Sequence, residues 1–100
     1  WNAHDMLSRF GAIPVDDRVV RDGNLITAGG VTSGIDFGLT VLAELFGEVE
    51  AQTVQLAMEY APAPPFASGT PHEAPAEVLA LARKRLAPMR AEREAIVASL

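Results

Sequence analysis

The side chains that could do chemistry in this chain come in adjacent pairs, and adjacency works against them. His4 precedes Asp5, and His72 precedes Glu73. A histidine activates a nucleophile only when a third group orients the ring and a hydroxyl or thiol lies within hydrogen-bond reach. His4 and Asp5 fall in a segment with helical periodicity, where neighbouring side chains do not face one another, and nothing completes a triad. His72 lies in a proline-rich stretch. Zinc there would need two or three further ligands at fixed spacing, and the sequence shows none. Asp16 and Asp17 are neighbouring carboxylates. An acid–base pair must face one cavity, whereas successive side chains on an extended backbone diverge, so a solvated turn is the better reading. Asp22-Gly23-Asn24 looks like part of a calcium loop but lacks the spaced acidic ligands and closing glutamate. Arg83, Lys84 and Arg85 form a small basic run, and Glu92 and Glu94 follow closely enough to make it a solvated helix face. On these patterns no residue is assigned a catalytic or metal-binding role.

The elements that would position any site are clearer. Residues 27–47, TAGGVTSGIDFGLTVLAELFG, read as a strand end, a glycine turn and a long helix. Leu25, Ile26 and Thr27 are β-type residues. Ala28, Gly29 and Gly30 let the backbone turn and allow close approach. Ser33 and Asp36 have capping-box spacing. The helix that follows is apolar on nearly every side, so burial between layers is expected, and Gly47 suits its C-terminal end.

Elsewhere, Ala3, Met6, Leu7 and Phe10 recur at helical spacing, and Gly11 can close that helix. Residues 12–15 read as a short extended piece. Arg18 to Arg21 and Asn24 to Thr27 read as strands around Asp22-Gly23, a hairpin signal when both turn residues take positive φ. Glu48 to Tyr60 reads as a second helix, with Glu48 and Glu50 at its positive end. Residues 61–75 hold five prolines and should be extended. Leu79, Ala82, Leu86, Met89, Arg93, Ile96 and Leu100 repeat in threes and fours, as in a coiled-coil seam. Pro88 should kink or break that helix near Ala87.

Four stretches together carry a resemblance: the opening WNAHDMLSRFGAIPV, the hairpin RVVRDGNLIT, the glycine turn with its helix, and MEYAPAPPF. They resemble the region near the C-terminal end of the domain in the ThiJ/PfpI superfamily, the class I glutamine-amidotransferase-like fold, and most closely its isonitrile hydratase (isocyanide hydratase) branch. The resemblance covers roughly residues 1 to 75.

It implies an α/β fold: the C-terminal half of a flavodoxin-like α/β sandwich, hairpin plus helices, with a helical tail. Residues 1–60 would belong to the domain, 61–75 would connect, and 76–100 would form the tail. In such proteins a cysteine on a sharp strand-to-helix turn is the nucleophile, and an acidic residue near the N-terminus helps with proton transfer. Neither is among these residues, so both are expected upstream. Ala28, Gly29, Gly30 and Val31 match the loop bordering the cysteine pocket. Some relatives carry arginine at the position of Gly29 and proline at that of Val31. The small or apolar residues here favour a small apolar substrate, such as an alkyl isonitrile. A second reading of the two glycines is that they merely let the helix pack on the sheet.

The activity implied is a hydro-lyase converting an isonitrile and water to an N-substituted formamide, with no cofactor. Alternatives are the ligand-sensing domain of an AraC-like transcriptional regulator, or a chaperone- or glyoxalase-like relative. A regulator would continue after Pro75 into two helix-turn-helix units, whereas one apolar-seamed helical segment stands here. Net charge is −5, which gives no electrostatic case for nucleic acid. No apolar run approaches the roughly 20 residues of a membrane span. The 49% of apolar residues suits a globular chain, and cysteine is absent, so a cytoplasmic location is expected. The chain opens at Trp1 in what reads as the first turn of a helix, with no cap or preceding strand. An N-terminal remainder of the same protein is therefore an expected partner, and a homodimer the expected assembly.

Overall fold

The structure, a computed structural model, describes residues 1–100. A 3₁₀ helix (His4–Phe10) is followed by strands β1 (Val19–Asp22) and β2 (Leu25–Ala28). Helices α1 (Ser33–Phe46), α2 (Glu48–Ala57) and α3 (Ala76–Ala98) complete the order. The chain divides into two compact units, residues 15–63 and residues 1–14 with 64–100.

In residues 15–63, β1 and β2 form an antiparallel hairpin that pairs Val19 with Ala28 and Asp22 with Leu25. That register makes Gly23 and Asn24 the two-residue turn. Only Gly23 has positive φ, +60°, which fits the hairpin turn with glycine at its first central position. The turn expected at Asp22-Gly23 is thus displaced by one residue, because a single positive φ suffices when glycine comes first. Both strands shift by one residue with it.

Helix α1 packs on α2 and on the hairpin. Gly47 ends α1 and begins α2 at once. Its N–H donates to the Ala43 carbonyl at 2.9 Å, and its φ of +92° with ψ of 162° is essentially restricted to glycine. The full burial expected of α1 is absent from this chain. Phe37, Leu39, Val41 and Leu42 are half-buried, while Leu45 and Phe46 are each 68% exposed. The hairpin and α2 are the neighbours present, and they cover only part of its apolar girth.

In the other unit, the 3₁₀ helix packs on α3, burying Met6. Gly11, at φ +78°, closes it in the left-handed conformation. The 3₁₀ winding replaces the α-helix that the periodicity suggested; its i to i+3 bonds suit a short piece. Helix α3 runs unbroken through Pro88, against the expected break. Leu79, Ala82 and Leu86 are half-buried as the seam requires, but beyond Pro88 the half-buried residues are Arg90 and Val97 rather than Met89 and Ile96. Arg90 takes that face because its guanidinium is tied to the 3₁₀ helix.

Candidate functional site

The glycine turn rests on two supports. The first is the hairpin: the Gly29 N–H donates to the Arg18 carbonyl at 3.2 Å, one step past the end of β2. The second is Ser33, the one side chain with no solvent exposure. Its hydroxyl points back to the Gly29 and Gly30 carbonyls, at 2.6 and 2.7 Å. A buried hydroxyl needs partners, and here it ties the turn to the first turn of α1. Gly30 has φ +84°, whereas Gly29 lies outside the left-handed region. A β-carbon at either position would meet open space. Ala28, Gly29, Gly30 and Val31 are all exposed, Val31 at 99%.

The capping box expected of Ser33 and Asp36 is not formed. Thr32 holds the N-cap position without a side-chain cap bond, and Ser33 turns to the glycine carbonyls instead. Asp36 is engaged elsewhere. Its Oδ2 accepts from Arg18 Nε at 2.5 Å, and its Oδ1 accepts from the Tyr60 hydroxyl. The tyrosine bond, then the arginine, hold the Asp36 carboxyl below its usual range. The same bond pushes the Tyr60 phenol up, since losing its proton beside a carboxylate is unfavourable.

The sequence predicts a second helix that runs to Tyr60. Tyr60 lies beyond α2, because Glu59 takes a left-handed φ of +51° and turns the chain back. The Tyr60 N–H donates to the Gln55 carbonyl and Gln55 Nε2 to the Tyr60 carbonyl, both at 3.1 Å. No spacing in the sequence pointed to the Arg18–Asp36–Tyr60 cluster, whose members stand 18 and 24 residues apart. A second ion pair, Arg21 with Glu44, joins β1 to α1.

The pairs with chemical potential in the sequence do not converge. Asp16, Asp17, His72 and Glu73 are exposed. Asp5 instead takes a bidentate bond from Arg90, at 3.0 and 2.8 Å, which lowers its pKa. An open groove of about 520 Å³ lies beside this pair, lined in part by Trp1, Arg83 and Glu94. No three His, Asp or Glu residues gather as a metal site would require. No helix is long and apolar enough to cross a membrane.

No family model matches the chain. A crystal structure of a ThiJ/PfpI family protein from Pseudomonas syringae superposes with a TM-score of 0.91 at 44% identity, over 97% of this chain and 40% of that one. This chain has the fold of a segment of that ThiJ/PfpI family protein. An isonitrile hydratase of Pseudomonas putida is 64% identical over 88 residues, which is 88% of this chain and 39% of that protein. The chain thus spans about 40% of the length of these two relatives.

Proposed function

We propose that this chain is part of an isonitrile hydratase that uses a cysteine nucleophile supplied by another part of the same protein. The observation carrying this reading is the 64% identity to an isonitrile hydratase across 88% of the chain. The chain itself holds no cysteine. In the proposed reaction a thiolate attacks the terminal carbon of R–N≡C, and protonation gives a thioimidate. Water adds to that carbon, the thiolate leaves, and R–NH–CHO is released. An acidic group outside these residues would assist the proton transfers.

Within this reading Ala28, Gly29, Gly30 and Val31 form part of the pocket wall. Their small, uncharged surface offers no cation to hold a carboxylate and suits an apolar substrate. The protein would be cytoplasmic and a homodimer, with exposed Leu81, Met89 and Ile96 of α3 available to a second copy. Sedimentation giving only monomer at micromolar concentration would count against the dimer. The activity is tested by supplying an alkyl isonitrile to the full-length protein and following formamide. Production that disappears when the nucleophilic cysteine is replaced by serine supports the reading, and no formamide from the unaltered protein sinks it.

A further inference from the structure

Asp36 closes a ring of hydrogen bonds around the glycine turn. Starting at Arg18, the backbone carbonyl accepts from Gly29 N–H at 3.2 Å. The Gly29 and Gly30 carbonyls accept from the Ser33 hydroxyl. Ser33 begins the helical turn that ends at Asp36, and Asp36 accepts from the Arg18 side chain. Arg18 therefore grips the turn with its backbone and the helix with its guanidinium. Tyr60 fills the second carboxylate oxygen from beyond α2, so three separate stretches of the chain meet on one acid. Thr40 adds a bond from its hydroxyl to the Asp36 carbonyl at 2.8 Å. A β-carbon at Gly29 or Gly30 would find no atom within 4 Å, and residues 28–31 are all exposed, so these polar ties are the prominent restraints on the turn.

We infer that Asp36, with Arg18 and Tyr60, is a positioning residue that sets the placement of the Gly29–Gly30 turn and hence the shape of the substrate pocket. The part concerning the pocket rests on the isonitrile hydratase reading; the part concerning the turn does not. A small displacement of a pocket wall costs rate out of proportion to stability, because catalysis depends on alignment. Asp36→Asn keeps the size but weakens both bonds. Tyr60→Phe removes one hydroxyl and leaves the ring in place.

The test uses the full-length protein with both variants and Arg90→Gln as a comparison, since Arg90 serves the other unit. Two quantities are read: steady-state kinetics with a small and a bulky isonitrile, and amide hydrogen exchange at Gly29 and Gly30. The expected result is several-fold faster exchange at these amides in both variants, with a several-fold loss in kcat/KM that is larger for the bulky isonitrile. Arg90→Gln should change neither, even where its Tm falls as far. Unchanged exchange overturns the positioning role. An equal kinetic loss in Arg90→Gln, or a loss indifferent to substrate size, also overturns it. If the unaltered protein makes no formamide, the isonitrile reading fails, and exchange still decides whether Asp36 holds the turn.

Discussion

Arg90 and Arg18 each meet an aspartate, one in each compact unit, and they are used differently. Arg90 is saturated. Its Nη atoms take both oxygens of Asp5, Nη1 also donates to the Asn2 carbonyl at 2.7 Å, and Nε donates to Glu94 at 2.8 Å. Such a planar fork fixes orientation well. It joins α3 to the first residues of the chain and holds no turn in an unusual conformation. Arg18 makes fewer bonds, but they lie on a closed path through Gly29, Ser33 and Asp36, and Gly30 on that path has positive φ. The number of bonds on an arginine therefore says little about its consequence. What matters is whether the bonds restrain backbone that has other conformations open to it.

Both units share one deficiency: Met6, Ala51 and Ser33 are the only buried residues. The largest expected effect follows from this. The isolated 100 residues should show no cooperative thermal transition, because so little apolar surface leaves water, whereas the full-length protein should melt cooperatively. A sharp calorimetric transition from residues 15–63 or from the other unit alone would break the parallel between them.

The two glycines give the next largest effect and separate a pocket-wall role from backbone strain. Gly29→Thr in the full-length protein should lower formamide production several-fold while Tm changes by only a few degrees, since Gly29 has no left-handed φ and its surroundings are open. Gly30→Ala should instead cost about 1 kcal/mol in stability, because a β-carbon at φ +84° is strained. Wild-type turnover in Gly29→Thr would remove the turn from the pocket and leave only the packing role. Equal Tm for the two variants would contradict the difference in φ.

Breaking each arginine–aspartate pair sharpens the contrast with a smaller effect. Asp5 has 66% of its side chain exposed and Asp36 only 28%. Exposed pairs contribute little and are screened by salt. Arg90→Gln should therefore lower Tm slightly, with the deficit shrinking as salt rises. Asp36→Asn should lower Tm more, with weaker salt dependence. The reverse order would show that bond count, not burial, sets the stabilisation.

The smallest effect is a pH dependence. Asp36 has a folded pKa below the ordinary 3.8, so its stabilisation is complete above that value and is lost as pH falls through the folded pKa. Tyr60 has a folded pKa above the ordinary 10.0. Its contribution is complete below that value and is lost as pH rises through the folded one. The Tm gap between the wild type and Asp36→Asn should be widest between about pH 5 and pH 9 and narrow on both sides. A gap that stays constant into acid would show that the carboxylate charge is not what holds Arg18 and Tyr60.

Local chemistry was readable residue by residue. Gly11 and Gly47 marked helix ends, Gly23 marked the hairpin, and the apolar run after Ser33 marked a helix, because each depends on backbone preference or on a period of a few residues. The combination of opening, hairpin, glycine turn and MEYAPAPPF was enough to place the chain in its fold. Tertiary structure decided the rest. It moved the hairpin turn to Gly23-Asn24, since register depends on which φ the turn adopts. It carried α3 through Pro88 without a break. It drew Ser33 away from its capping role to the glycine carbonyls, and it gathered Arg18, Asp36 and Tyr60 from three separate stretches of the chain. A hydrogen bond between residues 18 or 24 positions apart leaves no periodicity behind, so only the folded chain could bring that cluster into view.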